Sequence, residues 1–349
     1  MRAGAGTRIA HLAGHRPGIT ARWRRAAAGA AALALPLTAI TLTAAPASAA
    51  VRYLVTHTIP VGGTLWGVAV DSATHTAYVA NGQTRAVSVI DEATSAVTHT
   101  IPVSGDPYAV AADPSARTVY VTNDGGDTVW VISMTTNTVT RTIGVGIEPV
   151  AVAVDQAAGT AYVANASSST VSVIDLATST VTHTIPVGGF PQGVALDPAT
   201  RTVYVTNRVT RNVSVISMAT DTVTHTIPVG VDPYGVAVDP ASHTVYVGHF
   251  SADHSVSVID EASDTVTRTI PVGTSTYGLA LDPAARVAYL TDYFSAEVSV
   301  LDLVAGTVTA RVHAAGAAGV AVDPARHAAY VTSGGREFLG DFYVVQPCR

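Results

Sequence analysis

Beyond residue 50 the apolar positions come in short bursts of alternation and never in a helical period. The stretches "GVAVD" (Gly67 to Asp71), "TVYVTN" (Thr118 to Asn123), "VSVID" (Val171 to Asp175) and "TVTHTIPV" (Thr222 to Val229) are rich in Val, Ile, Thr and Tyr, with Asp-Pro and Gly between them. β-Branched and aromatic side chains fit a pleated, half-buried surface, and Gly, Pro and Asp supply tight turns. The pattern predicts strand after strand. No stretch carries the 3.6-residue apolar spacing of a helix.

The four stretches recur together. The Ile or Val of the "TIPV" signature falls at Ile59, Ile101, Ile143, Ile185, Ile227, Ile270 and Val312, spaced by 42, 42, 42, 42, 43 and 42 residues. Four short strands in a unit of about 42 residues is the period of a β-propeller blade. "GVAVD"-type strands end at Asp71, Asp113, Asp155, Asp197, Asp239, Asp282 and Asp323, which makes seven. The fourth-strand type also numbers seven, but only if Leu54 to Val61 is included, ahead of the first inner strand. The expectation is an all-β, seven-bladed β-propeller with four antiparallel strands per blade. Its last blade is closed by the N-terminal strand, which leaves no open edge between first and last blades.

"YVTN" at Tyr120 to Asn123 and Tyr204 to Asn207, together with "VSVID" and the "TIPVG" turn, resembles the YVTN-family β-propeller repeat. The resemblance covers essentially all of residues 51–349. Proteins similar to this include archaeal surface-layer proteins, lactonase-like propellers and propeller subunits of quinone-linked dehydrogenases. It implies a fold more firmly than an activity.

Differences among the seven copies separate scaffold from variation. The Asp ending each first strand suits an Asx-type turn. Four residues later comes a slot filled by His75, Arg117, Gly159, Arg201, His243, Arg286 and His327. A slot that exchanges His for Arg does not read as a metal site, because arginine stays protonated and cannot ligate. The Asn of "YVTN" (Asn81, Asn123, Asn165, Asn207) reads as a turn cap, and becomes His249, Asp292 and Ser333 in the last three blades.

In a propeller the connections from first to second and third to fourth strands lie on one face, and the others lie on the opposite face. The first set is nearly uniform here. The second varies, reading "DGGD", "ASSS", "RVTR", "HFSADH", "DYFSAE" and "SGGREFLGD" after the "YVTN" positions. Variable loops on a rigid scaffold are where binding concentrates. The entries to the inner strands open on the same face, at the mouth of the central channel: Trp66, Tyr108, Val150, Gln192, Tyr234, Tyr277 and Ala318. Four aromatics of seven, in a chain only 6% aromatic, suit either a packed plug or a platform for apolar or sugar-like ligands. The candidate ligand-binding residues are Trp66, Tyr108, Gln192, Tyr234 and Tyr277, with His249, Phe250, His254, Asp292, Tyr293 and Phe294 from the linkers of blades 5 and 6. A metal held by His249, His254, Asp292 and Glu297 is the alternative use of those linkers, although their spacing matches no ligand motif. No triad, phosphate loop or CxxC pair is present, and no cofactor is expected.

Composition adds location and excludes partners. Six arginines, an Ala- and Leu-rich run from Ala26 to about Ala45 and "ASA" at Ala47 to Ala49 read as a secretory signal peptide over residues 1–49, leaving a propeller over 50–349. Arg24-Arg25 leaves the export route open. Beyond it 13 arginines face 25 Asp and Glu, a net charge of −12 with no lysine. That excludes lysine chemistry and argues against nucleic acid or anionic membranes. No later run is long enough to span a bilayer. The single cysteine, Cys348, is read as free. The expectation is a secreted or cell-envelope monomer that binds a protein, glycan or small molecule. The alternatives are a lactonase- or lyase-type enzyme with its site at the channel mouth, and a partner subunit of a quinone-linked dehydrogenase.

Overall fold

The computed structural model describes residues 51–251, 253–334 and 340–348. The signal-peptide reading of residues 1–49 and the middle of the blade 7 linker lie outside them. Seven four-stranded antiparallel sheets follow one another. Blade 1 runs Leu65–Asp71, Thr76–Asn81, Ala86–Asp91 and Ala96–Pro102, from the inner strand outward, and blades 2 to 6 repeat that order. Blade 7 is composite. Its strands Ala317–Asp323, Ala328–Ser333 and Asp341–Pro347 are completed by Tyr53–Pro60, which pairs antiparallel with Asp341–Pro347. The expected closure is present: the two ends of the chain share one sheet, and the ring has no free edge between its first and last blades.

Seven apolar clusters hold the ring together, and each is shared by two adjacent blades. Between blades 1 and 2, for example, Tyr78, Val87 and Ile101 pack on Val119, Val121, Trp130 and Met134. Between blades 7 and 1, Ile59, Phe342 and Tyr330 pack on Leu65, Val79 and Ile90. The alternation explains this: two sides of each sheet face neighbouring blades, so second and third strands are buried throughout. The outermost strands show their Thr, His and Arg to solvent.

The turns explain the repeated residues. Each inner-strand Asp accepts backbone N–H groups of the turn that follows, as Asp155 Oδ1 does from Ala157 and Ala158, both at 3.1 Å. The residue in the His/Arg/Gly slot has a left-handed backbone, with φ from 50° at His243 to 66° at Gly159. The slot is therefore set by conformation, and its side chain is free to vary. Several reach the turn Asp of the preceding blade: Arg117 Nη1 is 3.4 Å from Asp71, and His327 Nδ1 is 2.7 Å from Asp282. Cys348 is unpaired and exposed.

Candidate functional site

In six of the seven blades the inner strand enters through an irregularity in the ladder, while in blade 6 the pairing begins only at Leu279. In blade 1 the pairing skips from Leu65 to Val68. In blade 2 it skips from Pro107 to Val110, and in blade 5 from Pro233 to Val236. The unpaired residues are Trp66, Tyr108 and Tyr234 with their successors, and the bulge re-aims these side chains to the channel mouth. The Thr of "YVTN" fills the gap. Thr206 Oγ1 accepts from Gly193 N at 2.8 Å and donates to Tyr234 O, in the next blade, at 2.7 Å. Thr332 does the same toward the carbonyl of Trp66. Gly67 lets neighbouring inner strands approach, since a Cβ there would lie 2.6 Å from Tyr108 O.

The aromatics of the mouth form one connected group. Tyr108, Tyr234 and Tyr277, from blades 2, 5 and 6, meet across the channel. The Tyr108 hydroxyl is 2.9 Å from that of Tyr234 and 2.5 Å from that of Tyr277. Burial pushes all three phenols upward, so they remain neutral hydrogen-bonding groups at any physiological pH. Phe250 lies 5.3 Å from Tyr234 and 5.3 Å from Phe294, centroid to centroid, and Tyr293 lies 6.1 Å from Tyr277. Trp66 completes the group, stacked on Tyr293 at 6.4 Å and 11°. The three tyrosines plug the channel, and the linker aromatics of blades 5 and 6 fill the side they stand on.

The open volume lies beside Trp66 and Tyr293. A hollow of about 920 Å³ is lined by Thr64, Trp66, Gly82 and Gln83 of blade 1, Asp106 and Asp124 of blade 2, and Tyr293. Sequence reasoning reached Trp66 and Tyr293 but missed the rest. The available signal was the pair of acidic residues around blade 2, one before Pro107 and one in the "DGGD" linker. Gly82 makes room for the indole, because a Cβ there would lie 3.0 Å from Trp66 Nε1. Asp124 is pushed up to about 6 by burial and then by the carboxylates of Glu148, Asp106 and Asp127. The hollow is thus an aromatic wall facing an acidic one.

The expected histidines do not face this space. His249 is fully buried, with Nδ1 3.0 Å from Val231 O and Nε2 2.8 Å from Ser257 Oγ. Asn165 and Asn207 reach Ser172 and Ser214 in the same way, at 3.0 and 2.9 Å. His249 is therefore blade 5's version of the turn cap, with both ring nitrogens engaged by the protein and none left for a ligand or metal. His254 holds the left-handed backbone position (φ 43°) that Arg85, Asp127, Ser169, Arg211 and Ala296 hold in other blades. Asp292 is another cap: Oδ1 accepts from Phe294 N and Ser295 N at 2.8 and 3.0 Å, and Oδ2 from Ser275 N at 3.0 Å. Glu297 faces Arg311 at 3.5 Å. Of the four residues of the metal alternative, His249 and Asp292 are engaged as caps. Gln192 is buried in its ring position. The His and carboxylate groups that do converge lie at the turns on the opposite face.

Comparison with known proteins bears on this ring. A family model described as a YNCE-like beta-propeller matches residues 155–243. The chain is a seven-bladed β-propeller, and over the matched residues its repeats are similar to those of that family. No curated protein matches it. Among solved structures, this propeller is similar to a chain of hydrazine synthase from Kuenenia stuttgartiensis, with a TM-score of 0.72 and 20% identity over 84% of this chain and 97% of that one. At that identity the likeness is one of fold, and the chemistry of this propeller rests on its own residues.

Proposed function

We propose that the variable face of this propeller is a binding surface, and that its ligand seats in the hollow between Trp66 and the acidic pair Asp106 and Asp124. The single observation that carries this is the hollow itself: about 920 Å³ beside a plugged channel, with a half-buried indole on one wall and half-buried Asp124 on the other. An aromatic face opposite carboxylates suits polyhydroxylated or cationic organic ligands, which stack on the ring and donate to the acids. Exposed apolar tips on the same face, Ile147, Val209 and Phe294, suit contact with a larger partner that carries such a group. Export to the cell envelope or medium fits the sequence before residue 50, and belongs to the same proposal.

Trp66 reports on the site directly. Of the three tryptophans, Trp130 is buried between blades 1 and 2 and Trp23 lies before residue 50. Titration of the mature chain with a panel of oligosaccharides and organic cations is expected to shift Trp66 emission saturably for at least one class. Trp66→Phe should remove the optical change, and Trp66→Ala should weaken binding measured by calorimetry by roughly 30-fold, about 2 kcal/mol. Saturable binding that is indifferent to Trp66→Ala would place the site elsewhere.

A second reading is favoured by Asp124. A carboxylic acid poised near 6 in a cleft is a competent general base or acid, as a lactonase- or lyase-type activity requires. Asp124→Asn separates the two: in a binding module it changes only the affinity for the ligand, whereas in an enzyme it abolishes turnover of ligand that is still bound.

A further inference from the structure

The uniform face carries a feature that the repeat alone does not require. At the end of the third strand, blades 2, 3, 4 and 6 place Met134, Leu176, Met218 and Leu303 against the neighbouring blade. Blades 1 and 5 place Glu92 and Glu261 there instead. In both, the left-handed slot holds a histidine, His75 or His243, so a buried glutamate, a histidine and the preceding blade's turn Asp come together twice.

The two clusters differ in what balances them. Glu92 is answered by Arg326 Nη1 at 3.3 Å and by the Tyr330 hydroxyl at 2.5 Å. In the other cluster the position of Arg326 is occupied by Thr200. Among the described residues no arginine pairs with Asp197 or Glu261, and the only basic partner is His243, with Nδ1 3.4 Å from Glu261 Oε2. Asp197 is fully buried and the Glu261 side chain is 3% exposed. Asp197 Oδ1 caps the turn through Ala199 N at 2.8 Å. Its Oδ2 and both carboxylate oxygens of Glu261 lack a well-formed hydrogen bond, as Glu92 Oε1 and Asp323 Oδ2 do in the other cluster; Glu261 is faced by His243 and by the Tyr204 hydroxyl, the counterpart of Tyr330, with no arginine beside them among the described residues. One ligand atom from each of the three residues lies within 4.8 Å of the other two.

Two unbalanced carboxylates in a packed interface are expensive, and a cation between them removes the expense. We propose that Asp197, Glu261 and His243 bind a divalent cation between blades 4 and 5, on the face opposite the aromatic hollow. Two carboxylates and one imidazole nitrogen suit a first-row transition metal, zinc by ligand class, better than magnesium or calcium, which prefer oxygen alone. The His243 side chain is 60% exposed at the rim, which leaves further coordination positions to water. The cation ties adjacent blades where Arg117 and Asp71 do the same with an ion pair.

The test uses the untagged mature chain, stripped with a chelator and titrated with zinc chloride at neutral pH by calorimetry and thermal melting. Wild type is expected to bind one equivalent tightly, with a melting temperature that rises with the logarithm of free zinc. Glu261→Met restores the packing used in blade 4, so the apo variant should melt no lower than apo wild type while its zinc affinity falls at least tenfold. His243→Ala, mostly exposed, should fold and lose at least tenfold as well. Glu92→Met should bind zinc like wild type, because that cluster is balanced by Arg326. Absence of tight zinc binding by wild type would overturn the proposal and leave a proton shared by Asp197 and Glu261 as the balancing charge. So would a Glu261→Met variant that binds like wild type.

Discussion

Replacing His249 by Ala separates scaffold from site. The imidazole is fully buried and makes two hydrogen bonds, to Val231 O and Ser257 Oγ. Truncation leaves a cavity the size of the ring and orphans a nearly buried hydroxyl at Ser257, while the half-buried Val231 carbonyl can turn to water. An orphaned buried group costs about 1–3 kcal/mol, and the lost packing adds a similar amount. The expected loss is about 3 kcal/mol, set against a total stability of roughly 5–15 kcal/mol. His249→Asn restores the repeat's own cap and should lose about 1 kcal/mol. The pH dependence gives an independent reading. Burial lowers the His249 pKa from 6.5, so the unfolded chain binds the proton more readily than the folded one. Its contribution to stability is whole above pH 6.5 and is lost as pH falls toward the depressed folded value. Wild type should therefore lose stability relative to His249→Asn as the solution is acidified below 6.5. Urea unfolding at pH 7.5 and 5.5 followed by circular dichroism measures all three proteins, and Trp66-dependent ligand binding should be unchanged in His249→Asn. A His249→Ala protein within 0.5 kcal/mol of wild type that has lost ligand binding would refute the scaffold role.

Other consequences follow from the same geometry. Asp124 is raised above its unfolded value of 3.8 to about 6, so the folded chain binds this proton more tightly and stability falls as pH rises through that window. Asp124→Asn should match wild type near pH 4 and exceed it by about 1 kcal/mol at pH 8 after solvent screening, as read by denaturant midpoints. Beginning the chain at Val61 removes the strand that closes blade 7 and uncovers Phe342 and Val344; the cooperative melt should disappear and hydrophobic-dye binding should rise. Arg286 has φ 56°, so Arg286→Gly should change stability by less than about 0.5 kcal/mol while Arg286→Val loses about 1.5 kcal/mol in thermal melts.

The architecture was legible because it is written seven times. The strand count requires Leu54 to Val61 to pair with the end of the chain, and Tyr53–Pro60 does so. The channel ring was legible because its members share one position in every copy. What escaped is what depends on three-dimensional volume. The aromatics of blades 5 and 6 marked the most unusual linkers in sequence, yet Phe250 and Tyr277 spend themselves on packing and the hollow opens beside blades 1 and 2. His249 looked like novelty because His replaces Asn, but the hydrogen bonds are kept while the residue type changes. The left-handed slot failed in the opposite sense. Read as one column, its arginines rule out a metal. Read blade by blade, His75 and His243 are the copies that meet a buried glutamate, and that coincidence joins residues 17 or 18 positions apart in one blade to an Asp of the blade before.

The central claim is that the variable face binds through the hollow beside Trp66. Calorimetric titration of the wild-type chain from residue 50 onward and its Trp66→Ala variant with the best ligand from an oligosaccharide and organic-cation panel tests it most directly. The account predicts one saturable site on wild type, about 30-fold weaker in Trp66→Ala with the melting temperature of the free protein preserved. Equal affinity in the two proteins, or no saturable ligand in either class, would contradict it.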